Sequence, residues 1–157
     1  NICRSPTAEG IFTHLVRRRG LDEQIGADSA AILDEHTGQP PDPRTLRTAL
    51  IYGLDLSHLR ARQVRKEDYT RFDYLIAMDR EHLRLLRMGP PKENAARIQL
   101  FCDFVPDRKE REVADPYYGP QKGFDEVFNL CRDASEGLLH AIVAEHFHTG
   151  HVVREKR

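Results

Sequence analysis

One run of residues limits the fold more than any other. In Phe72-Asp-Tyr-Leu-Ile-Ala-Met-Asp79 the core from Tyr74 to Met78 is apolar at every position. A strand with one wet face alternates polar and apolar side chains, and a strand covered on both faces does not. The run therefore predicts a strand buried in a parallel sheet. Its surroundings fit that reading. Asp79 can cap a helix over residues 80–88 that stops at Gly89-Pro-Pro91. Residues 98–104 read as the last strand, with Cys102 a small buried hydrophobe. Residues 25–33, small and mostly apolar around Ser29, read as another short buried strand. Phe124, Val127, Phe128, Cys131, Leu138, Leu139, Ile142 and Val143 mark the buried stripe of one long helix over residues 124–146. Alternating strands and helices predict an α/β domain with helices on both faces of a parallel sheet. Ligand sites in such sheets lie beyond the carboxyl ends of the strands.

The chain has 157 residues, enough for one domain with a real core. Its net charge of −1 creates no general field for nucleic acid or a membrane surface. No apolar run approaches the roughly 18 residues of a membrane span. Three widely spaced cysteines, Cys3, Cys102 and Cys131, form neither a disulfide framework nor a zinc pattern. They suit a reducing cytoplasm. The eight histidines show no metal-site spacing, and His146 and His148 read as part of a solvated end.

The first ten residues, Asn1-Ile-Cys-Arg-Ser-Pro-Thr-Ala-Glu-Gly10, read as a loop turning into a helix. Ser5 is a candidate N-cap and Pro6 suits the first helical position. Ala8, Ile11, Phe12, Leu15 and Val16 follow at helical spacing, basic residues 17–19 complement the helix end, and Gly20 closes it. An anion sits well at such a helix start, and the Arg4 fork can grip two phosphate oxygens. The same residues also fit an ordinary capped helix with a solvent-exposed arginine. Further on, His36-Thr-Gly-Gln-Pro-Pro-Asp-Pro-Arg44 is a loop, and Asp42-Pro43 starts a helix to about Tyr52, closed by Gly53. In Ala114-Asp-Pro-Tyr-Tyr-Gly119 the proline holds Asp115 extended and the glycine permits a turn.

Asn-Ile-Cys-Arg-Ser-Pro-Thr-Ala-Glu resembles the second half of the phosphate-binding loop of low-molecular-weight protein tyrosine phosphatases. Asp-Pro-Tyr-Tyr-Gly matches that family's general-acid loop over all its residues, and Pro-Asp-Pro-Arg resembles its second loop. The resemblance spans about residues 1–146 and implies a three-layer fold with a four-stranded parallel sheet. It implies a phosphatase domain over residues 1–147 and a polar tail over 148–157. The motif puts its nucleophilic Cys three residues before Asn1. The chain, lacking an initiator Met, is thus expected to be a fragment without that Cys and without the first, central strand. Cys3 matches a second Cys that many members carry in the loop, able to form a protective disulfide with the nucleophile.

The implied reaction is hydrolysis of phosphotyrosine in proteins, or of small aryl phosphates, through a phosphocysteine. Loop N–H groups of Asn1, Ile2, Cys3, Arg4 and Ser5, with the Arg4 guanidinium, hold the oxygens. Asp115 is the implied general acid, and Tyr117 and Tyr118 flank the phenyl ring. Neither cofactor nor metal is implied. Asn1, Ser5, Ser29 and His58 would support the loop, although an ungapped match puts Leu59 at the family's histidine position. Glu35 stands where members commonly carry an aromatic, so the substrate wall departs from the pattern.

Three other readings stay open. The protein arginine phosphatases of the same family carry a small Thr where this chain has Ile2, which favours phosphotyrosine, while Glu35 suits a guanidinium. A thioredoxin-coupled arsenate reductase needs relay cysteines on a mobile segment. A phosphate-binding module without turnover is the non-enzymatic reading. The sequence leaves the physiological substrate and oligomeric state open.

Overall fold

The computed structural model describes residues 2–89 and 96–147. Asn1, the Pro90-Pro91 helix stop and the expected tail over 148–157 lie outside the described residues. The elements are α1 (Arg4–Arg18), α2 (Pro43–Ile51), α3 (Asp68–Arg71), β1 (Tyr74–Ala77), α4 (Arg80–Arg87), β2 (Arg97–Leu100), a 3-10 turn (Phe101–Phe104) and α5 (Gln121–His146).

The predicted strand forms as β1, but Tyr74, Leu75 and Ile76 are half-buried and only Ala77 is buried, so it is not covered on both faces as expected. It pairs in parallel with β2, Tyr74 opposite Arg97 and Ala77 opposite Leu100. Helix α4 connects them and packs on both. It is capped as expected, with Asp79 Oδ1 accepting from His82 N at 2.8 Å. Helix α5 packs on α1, on α2 and on the 3-10 turn. Ile11, Phe12 and Val16 of α1 meet Phe128, Leu138 and Leu139 of α5 in the main core, with Met78 from the end of β1. The predicted α5 stripe is buried apart from Val143, which is half-buried. Gly137 lets the α5 backbone press on the turn, since a Cβ there would overlap the Phe104 carbonyl. Asp42 caps α2, and Gly53 ends it at φ +86°, where glycine is favoured. Among the described residues no helix is long and apolar enough to cross a membrane.

Four other expectations change. The sheet has two strands among the described residues, where a four-stranded sheet without its first strand would leave three. Residues 25–33 contribute only an isolated bridge, Ala31 to Gln63. Their backbone bonds go to the neighbouring loop, with Ala31 N donating to Arg62 O and Val64 N to Ala31 O, both at 2.8 Å. They and β1 line one cleft without pairing across it. Residues 98–104 are a strand only to Leu100. Phe101 and Cys102 are consecutive and both buried, and the tight turn lets both pack into the core that α5 covers.

Ser5 is not the N-cap. Helix α1 begins at Arg4, with Cys3 as a cap that makes no side-chain cap bond. Thr7 Oγ1 instead donates to Cys3 O at 2.7 Å. Pro6 remains acceptable because first-turn N–H groups have no acceptor within the helix. His146 is exposed but not idle. It ends α5 and lies 3.1 Å from the Tyr74 hydroxyl, its ring edge-on to the Tyr74 ring.

Candidate active site

Arg4 opens α1 and is only 5% exposed, against the usual behaviour of arginine. Burying a cation needs partners. Its Nη1 donates to Asp79 Oδ2 and to Val113 O, both at 2.8 Å. Asp79 sits at the carboxyl end of β1. Burial alone would raise its pKa, but the His82 N–H and the Arg4 guanidinium outweigh burial and hold the carboxyl below the usual range. Val113 is held in turn, its N–H donating to Met78 O at 2.8 Å. Arg4 is thus pinned to the sheet end while sitting at the positive pole of α1, an arrangement suited to an anion.

Ile2 and Cys3 pack with Phe124, Ala61 and Tyr117 in a small apolar cluster. Asp42 N donates to Ile2 O at 2.9 Å, tying the second loop to the first. Asp115 is exposed, and its Oδ1 accepts from Tyr117 N at 3.1 Å. Tyr117 stands edge-on to Tyr118, ring centroids 4.7 Å apart. Tyr118 is 94% exposed, an aromatic face presented to solvent. The Cys3 thiol is pushed up to about 11, chiefly by burial, with the nearby Asp42 and Asp115 carboxylates adding to it. A thiol so placed is protonated near neutrality and a poor nucleophile. Burial also pushes the Cys102 thiol up, and the Cys131 thiol strongly so.

Ile2, Cys3, Arg4, Ser5, Asp115, Tyr117 and Tyr118 line one cleft of about 970 Å³, together with Glu35 and His36. Groups expected from opposite ends of the sequence therefore line the same cleft. Ser29 and His58 hold other contacts among the described residues. Ser29 Oγ donates to Glu9 Oε1 at 2.6 Å. His58 is exposed, and its nearby charge acts on the same Glu9 carboxyl, whose pKa is raised mainly by burial. Ser29 and Glu9 nonetheless line the same cleft as Arg4 and Ser5. Asn1 lies outside the described residues.

Two residues of the site escaped sequence reasoning. Asp79 reads as a helix cap, yet its second oxygen anchors Arg4; its place after an apolar strand was the available signal. His36 faces Tyr117 with ring centroids 6.2 Å apart and supplies an aromatic beside Glu35. A histidine in a proline-rich loop carries no signal of that kind.

The sequence model of low molecular weight phosphotyrosine protein phosphatases matches residues 1–148. The low molecular weight protein-tyrosine-phosphatase YfkJ of Bacillus subtilis is 41% identical over 145 residues, covering 92% of each chain. The crystal structure of YfkJ superposes with a TM-score of 0.86, covering 93% of this chain and 91% of that one. The low molecular weight phosphotyrosine protein phosphatase of Sus scrofa is 39% identical, covering 90% of each. The Drosophila arginine phosphatase DARP is 29% identical in structure comparison, with a TM-score of 0.82, covering 90% of this chain and 91% of its own. Family model, relatives and superposed structure agree, and the chain belongs to the low molecular weight phosphotyrosine protein phosphatase family.

Proposed function

We propose that this protein hydrolyses phosphotyrosine and aryl phosphates through a phosphocysteine. The observation that carries the reading is Arg4, buried and pinned at the start of α1 on the cleft that also holds Asp115, Tyr117 and Tyr118. The phosphoryl group sits at the helix start, its oxygens held by loop N–H groups and Arg4. Charge redistributing over those oxygens meets donors already in position. A thiolate attacks phosphorus and the ester oxygen leaves with the Asp115 proton. Asp115 then takes a proton from the water that releases phosphate. The Tyr117 and Tyr118 rings flank the aryl group.

The attacking thiolate is none of the three cysteines in this sequence. The raised thiol of Cys3 and the core positions of Cys102 and Cys131 support that assignment. The family's loop pattern puts the nucleophile three residues before Asn1, a position outside the 157 residues. The test compares these residues with the full gene product on p-nitrophenyl phosphate and a phosphotyrosyl peptide. Turnover by the full product alone is expected. Turnover by the 157 residues alone would overturn the nucleophile assignment, and none by either would overturn the phosphatase reading.

Phosphoarginine is the second reading. Glu35, exposed on the cleft, suits a guanidinium, and the likeness to DARP supports it. Ile2 favours the aryl substrate by its bulk. A higher kcat/KM on a phosphoarginyl than on a phosphotyrosyl peptide would reverse the order.

A further inference from the structure

Arg44, in the first turn of α2, bonds the Asp115 loop directly and the phosphate loop by way of Asp42. Nη2 donates to Tyr117 O at 2.5 Å and Nη1 to Gly119 O at 3.0 Å. Its guanidinium carbon stands 4.4 Å from the centroid of the Phe124 ring. Behind it, Asp42 Oδ1 lies 3.3 Å from Nε and also accepts from Arg44 N at 2.8 Å. Asp42 is 5% exposed and its own N–H donates to Ile2 O. An unbroken set of bonds thus runs from the loop of Cys3 and Arg4, through Asp42 and Arg44, to the loop of Asp115.

The chemistry of the two ends differs in what it needs. The phosphate loop is already fixed by α1 and by Arg4. In the Asp115 loop, over residues 115–119, only Asp115 and Tyr118 are exposed, and the chain bends through the buried Pro116 to Gly119. Pro116 restricts its own φ and the conformation of Asp115 before it. Once the Tyr117 and Gly119 carbonyls are gripped by one planar fork, the direction of Asp115 is left little freedom. A guanidinium can hold two carbonyls at once in a fixed plane, and an ammonium cannot.

We infer that Arg44 is the positioning residue for the Asp115 loop, and that Asp42 sets the distance of that loop from the phosphate site. This deepens the phosphatase reading and rests on it. A proton donor is effective only when held within reach of the leaving oxygen, and misplacement by about 1 Å can cost about 10²-fold.

The test uses Arg44→Ala and Arg44→Lys in the full gene product, on phenyl phosphate and p-nitrophenyl phosphate. Phenolate is the poorer leaving group and depends more on a well-placed acid. In Arg44→Ala, kcat on phenyl phosphate should fall about 10²-fold and on p-nitrophenyl phosphate much less, with KM for both within about twofold. Arg44→Lys should fall between. Equal losses on both substrates, or a change in KM alone, would overturn the positioning role.

A second readout does not need turnover. Amide hydrogen exchange over residues 115–120 should speed about tenfold in Arg44→Ala, with β1 unchanged. Unchanged exchange there would overturn the proposal even if activity fell. If the unaltered protein shows no turnover, the phosphatase reading fails while the exchange result still judges the loop contact. If Arg44→Ala does not fold, Asp42→Asn keeps the α2 cap acceptor but removes the charge behind Arg44. It should give the same leaving-group bias, more weakly, and no bias would count against the proposal.

Discussion

Replacing Asp79 by Asn would separate the two duties of that side chain. Oδ1 caps α4 through His82 N, and an amide oxygen can do the same. Oδ2 faces the Arg4 guanidinium at 2.8 Å, and there the substitution removes the charge. Breaking a fully buried pair costs about 3–5 kcal/mol, because one charge stays buried alone. Two features lower that figure here. The Asp79 side chain is 20% exposed, and Arg4 keeps its bond to Val113 O. A hydrogen bond to a charged group is worth about 1.5–3 kcal/mol, so D79N should lose about 2–3 kcal/mol. D79A also loses the cap and should lose about 1 kcal/mol more. Urea unfolding at pH 7 measures both, and thermal midpoints should fall by about 2–4 °C per kcal/mol.

The pH dependence supplies the sharper check. The folded value of Asp79 lies below its ordinary 3.8. A group depressed on folding adds stability above its unfolded value, and that stability is lost as pH falls through the folded value. The gap between wild type and D79N should therefore be full at neutral pH and close in acid below about 4. A D79N midpoint equal to wild type at pH 7, or a gap that does not shrink in acid, would show that Arg4 does not depend on this carboxylate.

Three further expectations follow from named contacts. Asp115→Asn in the full gene product should lower turnover on phenyl phosphate by about 10²–10⁴-fold, the usual share of acid–base catalysis, and an unchanged rate would remove Asp115 from the reaction. The Cys3 thiol, pushed up to about 11, should label slowly with iodoacetamide at pH 7 in the folded protein and fast once unfolded, as peptide mass spectrometry would reveal. Gly137→Ala should destabilise by at least about 1–3 kcal/mol, because its methyl would overlap the Phe104 carbonyl, and a neutral thermal shift would show that α5 can move off the turn.

The parts of the fold legible in the sequence are those with local causes. An apolar run gave β1, a stripe at helical spacing gave α5, and Asp-Pro and Gly gave both ends of α2. Residues 25–33 have the composition of a strand, but pairing depends on which neighbour is in reach, and composition does not encode that. The turn after Leu100 follows from two adjacent side chains both seeking the core. In the site, Arg4 and Asp115 were legible as short motifs, and the structure lines one cleft with both. Asp79 and Arg44 were not, since their partners lie 75 and 73 residues away. His58 and Ser29 show the opposite case. Their types suit a supporting network, while the Ser29 hydroxyl bonds Glu9, a partner one helix turn beyond Ser5 that no short motif names.

Arg4 reaches across 75 residues to Asp79 and 109 to Val113. Contacts of such sequence separation form late, since loop closure must come before any reward from the contact. Until β1 has formed and the chain has returned to its end at Val113, Arg4 is only a charge on a short helix. The anion site is thus assembled by the same event that completes the domain. A nascent or partly unfolded chain holds no working fraction of it, so oxyanion affinity measures the native population directly.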